Sequence, residues 1–202
     1  MNLRNELPTA ENSSNFNAVA GATTKAGSTL ENLKAAVAGE TGASAKYAAF
    51  AKYAKEKGFD QLARLWEATS AAEQIHINLE AALVEAEEPD YVRPTAEAPA
   101  PEAIDLNLIA SANGEIFETS DMYPSFIKKA QEEGNAKAVK VFTKAKLAEA
   151  VHAEKYLEAY NNIDAADDDA YYLCPGCGYI HKGDDFEKCP ICGAPKSKFQ
   201  RF

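Results

Sequence analysis

An all-α four-helix bundle with one long crossover, followed by a small C-terminal metal module, is the architecture predicted by the 202 residues. Three observations predict it. Apolar residues recur at helical spacing over four long stretches. A single proline-rich connection separates the second stretch from the third. All four cysteines fall in the last 30 residues, in two C-x-x-C pairs.

Residues 1–27 are rich in Asn, Ser, Thr, Ala and Gly without a sustained period, and read as an N-terminal extension that carries no chemistry. The first helix opens at Ser28, where Ser28 and Glu31 form a candidate capping box. Its stripe is Leu30, Leu33, Val37, Ala43 or Ser44, Tyr47 and Ala51, and Gly58 ends it. The second helix runs from about Asp60 to Ala86, with Leu62, Leu65, Trp66, Thr69, Leu79 and Leu83 on its stripe. Residues 87–104 are acidic and hold four prolines, which fix φ and remove donors, so an extended connection is expected. Bundle loops usually take about 2–8 residues. The long connection lets its flanking helices lie parallel, and permits exchange of helix pairs between subunits.

The third helix starts near Asp105, carries Leu106, Leu108, Ala112, Met122 and Phe126, and ends at Gly134. Pro124 lies inside it, so a kink is expected there. The fourth runs from Asn135 to Asn161, with Val139, Phe142, Tyr156 and Tyr160 apolar. Residues 28–163 therefore read as the bundle, 164–170 as an acidic linker, and 171–202 as a separate aromatic- and glycine-rich module.

Composition narrows the function. There are 31 acidic against 21 basic residues, a formal charge of −10. Such a surface repels phosphate backbones, so a general nucleic-acid binder is not expected. No apolar run approaches the roughly 18–20 residues that span a bilayer. The N-terminal stretch lacks the apolar core of a secretory signal. A cytoplasmic location without membrane attachment is the expectation.

Carboxylates interrupt the apolar seams. Glu40 sits in the first stripe, Glu73 and His76 in the second, Glu115 and Glu118 in the third, Glu149 and His152 in the fourth. Residues three apart on a helix share a face, so each Glu-x-x-His pair points one way. Five carboxylates in one core would each cost several kcal/mol unless compensated. Buried charges are paired or hold metals, and two ferrous ions bring +4 against −5. The pattern also repeats. Glu40 and Glu115 are 75 residues apart, and Glu73 with Glu149 and His76 with His152 are each 76 apart. Two Glu-x-x-His pairs in register with two further glutamates define a di-metal carboxylate bundle of the ferritin-like kind.

The C-terminal module reads Cys174-Pro-Gly-Cys177-Gly, then, eleven residues later, Cys189-Pro-Ile-Cys192-Gly. Two such knuckles close one tetrahedral four-sulfur site, and in a chain read as cytoplasmic this spacing points to metal over disulfides. The spacing alone suits iron or zinc. A 32-residue module has too little core to fold unaided, so its metal is also its staple. His181, between the knuckles, reads as a surface residue.

From about residue 28 onward the chain resembles rubrerythrin. The residues that carry the resemblance are AVAGET around Glu40, EQIH at 73–76, NLIASANGEIFE at 107–118, DMYPSF at 121–126, AEAVH at 148–152, and CPGCGY with CPICGAP. The resemblance implies a non-haem di-iron site. In it Glu73 and Glu149 would bridge, Glu40 and Glu115 would be terminal ligands, and His76 and His152 would complete the set. Glu118 would be an added carboxylate that exchanges with His76 as one iron changes redox state. Tyr47 and Tyr123 would hydrogen-bond the ligand carboxylates. The module would be rubredoxin-like, with one iron held by Cys174, Cys177, Cys189 and Cys192. Gln74, Ile75, Ala150 and Val151 depart from the charged residues often found beside the ligands in that family.

The activity implied is a peroxidase that reduces hydrogen peroxide to water. Its electrons would come from a rubredoxin or an NAD(P)H-dependent reductase and pass through the four-cysteine iron, in a homodimer, helix-swapped or larger. A ferritin-type ferroxidase or store, or an oxygen-reducing oxidase, is the alternative. A storage protein, however, needs no electron return. A non-enzymatic metal protein with a zinc ribbon is a third reading, which the added Glu118 disfavours.

Overall fold

The structure is a computed structural model and describes residues 23–163 and 167–202. Most of the expected N-terminal extension (1–22) and part of the acidic linker (164–166) lie outside the described residues. Four long helical arms form the bundle: α1 (Thr29–Glu56), α2 (Asp60–Glu87), a broken third arm of α3 (Ile104–Phe117) and α4 (Tyr123–Glu132), and α5 (Ala136–Asn161). The fold is the expected ferritin-like bundle with a small four-cysteine module behind it.

The helix ends follow local chemistry. Ser28 accepts from the Glu31 backbone while Glu31 reaches back to the Ser28 N–H, a complete capping box. At the other end Gly58 takes φ of +80°, and Phe59 N–H bonds the Ala54 carbonyl at 2.9 Å. The turn is repeated 76 residues on: Gly134 takes φ of +70°, and Asn135 N–H bonds the Ala130 carbonyl at 2.8 Å. Both are glycine-closed helix ends of the Schellman kind. The two halves of the bundle are thus matched helical hairpins. Their apolar sides bury Leu33, Phe50, Leu65, Trp66, Leu108, Phe142 and Tyr156.

Two expectations need correction. The break in the third arm is not at Pro124 itself. A π-helical turn occupies Glu118–Met122, and Pro124 follows it directly in the first turn of α4, with Phe117, Met122 and Tyr123 all in the right-handed helical region. The turn also accounts for an offset in the repeat. Glu40 and Glu115 are 75 residues apart but Tyr47 and Tyr123 are 76, so the third arm holds one residue more than α1 between these points. The wider turn absorbs it. The second correction concerns the stripes: Leu106 is 38% exposed, and Leu79 is only half-buried. Glu80 occupies the core position that the stripe assigned to Leu79.

The C-terminal module is a three-stranded antiparallel sheet of β1 (Tyr171–Leu173), β2 (Ile180–Lys182) and β3 (Gln200–Arg201), in the order β2–β1–β3. Tyr171, Leu173 and Ile180 join the core cluster of α1 and α2, so the module sits against the bundle of its own chain. No helix among the described residues is long and apolar enough to cross a membrane.

Candidate metal centres

Glu40 from α1, Glu73 and His76 from α2, Glu115 from α3, and Glu149 and His152 from α5 converge in the middle of the bundle, and all are buried. They form two overlapping groups. Glu40, Glu73, His76 and Glu149 each bring one ligand atom within 4.8 Å of the others, and so do Glu73, Glu115, Glu149 and His152. Glu73 and Glu149 belong to both groups.

Each imidazole is oriented by its outer nitrogen. His76 Nε2 lies 3.0 Å from the Cys177 carbonyl, and His152 Nε2 lies 2.9 Å from the Gly178 carbonyl. A carbonyl only accepts, so both Nε2 atoms carry a proton, and in the neutral ring each Nδ1 is free to ligate. His76 Nδ1 is 2.7 Å from Glu149 Oε1, and His152 Nδ1 is 2.8 Å from Glu149 Oε2. Yet neither of these Glu149 oxygens, nor His152 Nδ1, has an aligned hydrogen-bond partner. Glu40 Oε2, Glu73 Oε1 and Glu115 Oε2 are buried and unpartnered too. These atoms converge on common points between them instead of on one another, which fits a pair of metal ions.

Without metal the electrostatics are severe. Burial pushes the Glu73 carboxyl well above its usual range, and Glu149, Glu115 and Glu40 push it further. Burial by itself would lower His76, but Glu149, Glu40 and Glu73 outweigh it and hold the ring protonated. For His152 the same contest is won by Glu115 and Glu149. Glu149 is the exception. Burial raises it, but His76 and His152 on either side bring it down to about 2. Protons on the imidazoles thus take up part of the charge that metal ions would balance.

Tyr47 and Tyr123 both reach carboxylates of the buried cluster. Tyr47 donates to Glu115 Oε1 and Tyr123 to Glu40 Oε1, so each tyrosine serves the terminal carboxylate of the other hairpin. Tyr123 Oη is also 2.8 Å from Glu80 Oε1. Glu80 is a further buried carboxylate that the apolar stripes do not single out. The signal was present, since it follows His76 by four residues and so shares its face, but Leu79 beside it completed the stripe.

Glu118 opens the π-helical turn and is half-buried. It stands outside both ligand groups, although burial and the charges of Glu40, Glu115, Glu149 and Glu73 raise its carboxyl well above the usual range.

Cys174, Cys177, Cys189 and Cys192 form the second centre. All four are free thiols, with Sγ–Sγ separations of 3.4 Å for Cys174–Cys192 and for Cys177–Cys189. A disulfide would need about 2.05 Å. A tetrahedron with metal–sulfur bonds of about 2.3 Å has edges of about 3.8 Å. His181 bonds Tyr179 and Asp185 and takes no part. Gly178, in the first knuckle, has φ of +79°, and a Cβ there would collide with His76 Nε2. Glycine lets the knuckle reach the imidazole.

A ferritin-like bundle holding a di-metal carboxylate site, with a four-sulfur module docked on it, defines the class. Known proteins agree. The family model "Rubrerythrin" matches residues 31–160, and "Rubrerythrin, rubredoxin-like domain" matches 172–200. The chain belongs to the rubrerythrin family. It is 67% identical to nigerythrin of Nitratidesulfovibrio vulgaris, over the whole of both chains. It is 34% identical to rubrerythrin of the same organism, over 87% of this chain and 95% of that one. The structure described as "Fully reduced state of nigerythrin (all ferrous)" superposes with a TM-score of 0.91 at 67% identity, covering all of both chains. The chain accordingly has the family's di-iron carboxylate site and its four-cysteine rubredoxin-like site. Family members are oxidoreductases, and this chain is read as one of them.

Proposed function

We propose that this protein is a peroxidase that reduces hydrogen peroxide to two waters. The observation that carries the reading is the pair of hydrogen bonds between the two centres. His76 donates to the backbone of Cys177, and His152 donates to the backbone of Gly178. A candidate ligand of one centre is therefore one hydrogen bond from a candidate ligand of the other, within a single chain. That contact supports electron delivery from the four-cysteine site, a feature an iron store does not need.

Glu40, Glu73, His76, Glu115, Glu149 and His152 would hold the two irons. Once bound there, an iron pair would supply the two electrons that cleavage of the O–O bond requires. Tyr47 and Tyr123 keep Glu115 and Glu40 oriented. The two Nε2–H groups keep the imidazoles turned with Nδ1 inward. Glu118, half-buried at the start of the π-helical turn, would be the carboxylate that exchanges with His76. Electrons would come from a rubredoxin or an NAD(P)H-dependent reductase, and a homodimer is the proposed assembly, checked by sedimentation.

The test is consumption of hydrogen peroxide by the iron-loaded protein with a reductase-coupled supply of reduced nicotinamide, run beside loading with excess ferrous iron. Sustained peroxide turnover with a few irons per chain is expected. Uptake of hundreds of irons per particle without peroxide turnover would overturn the reading in favour of storage.

A further inference from the structure

We propose that Glu80 is a neutral carboxylic acid in the working protein and a positioning residue. It donates its proton to Tyr123, so that the single Tyr123 hydroxyl proton always points at Glu40. The inference rests on the di-metal reading in one respect, that Glu40 is an anionic ligand.

The Tyr123 oxygen lies within hydrogen-bond distance of Glu40 Oε1 and of Glu80 Oε1. A phenol has one proton to give. Two ionised carboxylates would leave one of them facing the lone pairs of the phenol oxygen. One carboxyl must therefore supply a proton of its own. Glu40, among the atoms that converge on the metal site, stays ionised when metal is bound. The proton falls to Glu80.

Burial agrees. Glu80 is fully buried, no cationic side chain bonds it among the described residues, and its Oε2 has no partner. An ionised carboxylate so placed is strongly disfavoured, whereas the carbonyl oxygen of a neutral acid tolerates a missing partner. Burial, the largest effect, and then the nearby Glu40 charge raise its carboxyl well above the usual range, outweighing the lowering by His76 and by the bond to Tyr123. Tyr123 is raised for the same two reasons and keeps its proton.

The pseudo-repeat supplies a further argument. Glu80 follows His76 by four residues, and Tyr156 follows His152 by four. The second hairpin thus places a buried phenol, a group neutral at ordinary pH, where the first places Glu80. The position takes a neutral group in one half, and a protonated acid satisfies the same demand in the other.

The test is infrared spectroscopy of the metal-loaded protein at neutral pH, which reads the proton directly and not the turnover. A carbonyl stretch of a protonated carboxylic acid, above the amide I region and lowered in D2O, is expected in the wild type and absent in Glu80→Gln. In Tyr123→Phe the band should persist but shift, because its hydrogen-bond acceptor is gone. Glu80→Gln keeps an N–H donor for Tyr123, so metal content should be retained there and reduced in Glu80→Leu. A wild-type spectrum identical to that of Glu80→Gln in this region would overturn the proposal. So would a band unmoved by Tyr123→Phe, which stands as the test if Glu80→Gln does not fold. The band without peroxide turnover would sink the peroxidase reading and leave this one. Turnover without the band would do the reverse.

Discussion

The two helical hairpins hold nearly the same site twice and differ in two places. Each contributes a terminal glutamate (Glu40, Glu115), a Glu-x-x-His pair (Glu73 with His76, Glu149 with His152) and a tyrosine that serves the opposite hairpin (Tyr47, Tyr123). The first hairpin then adds Glu80 where the second has Tyr156. The second adds a π-helical turn, and Glu118 at its start, where α1 runs unbroken through Gly42 and Ala43. Holding two metals needs only the shared parts. The departures from symmetry are where the two irons would become unequal, and an unequal pair is what a redox-driven ligand exchange needs.

Removing the metal should have the largest effect, and should fall on the shared parts. Glu73 is raised in the folded protein, as are His76 and His152. Groups raised on folding contribute stability that is present below their unfolded values and lost as pH rises through their folded ones. Within the buried cluster Glu149, lowered to about 2, runs the other way, and its contribution is lost below the ordinary carboxylate range. The metal-free protein should therefore melt at progressively lower temperature as pH rises from about 5 to 9. The loaded protein should melt higher and nearly independently of pH. Calorimetry of both forms checks this.

Glu118→Ala places at the π-helical turn the residue that α1 carries at position 43. Peroxide turnover should fall about 10–100-fold, with the irons still bound. Unchanged turnover would mean that this asymmetry has no role in the reaction.

Gly178→Ala tests the contact that serves both hairpins. The left-handed φ of Gly178 costs a side chain about 1–2 kcal/mol, and the new Cβ would collide with His76 Nε2. Reoxidation of the four-cysteine iron by peroxide should slow, while iron content at both centres is retained. Rapid mixing and metal analysis together read the two effects apart.

The smallest difference expected is between Tyr47→Phe and Tyr123→Phe. Each removes one hydrogen bond to a terminal glutamate, about 1 kcal/mol. Tyr123→Phe also deprives Glu80 of its partner, and should cost about 1 kcal/mol more. Paired denaturant titrations measure the gap.

Much of this site is legible in the sequence because metal ligands break apolar stripes. Glu40, Glu73, Glu115 and Glu149 stand out only because leucine or alanine would otherwise occupy those positions. C-x-x-C pairs announce themselves by spacing. Glu80 hides because Leu79, one residue before it, satisfies the same stripe, and a 100° rotation per residue separates core from flank too finely to read by eye. The π-helical turn hides for another reason. One residue added to a repeat is visible only when the two tyrosines are known to be equivalent. The docking of the knuckle on His76 and His152 is a tertiary contact between distant segments, and only the collision that a side chain at Gly178 would cause betrays it in hindsight.

The central claim is that the four-cysteine centre feeds the bundle centre directly. The most direct measurement is a visible spectrum after rapid mixing. The iron-loaded protein is reduced without air, mixed with near-stoichiometric hydrogen peroxide, and the ferric four-cysteine colour is followed. Rapid return of the colour with peroxide and much slower return with air is the result predicted. Colour that returns faster with air than with peroxide, or no colour in any state, would contradict it.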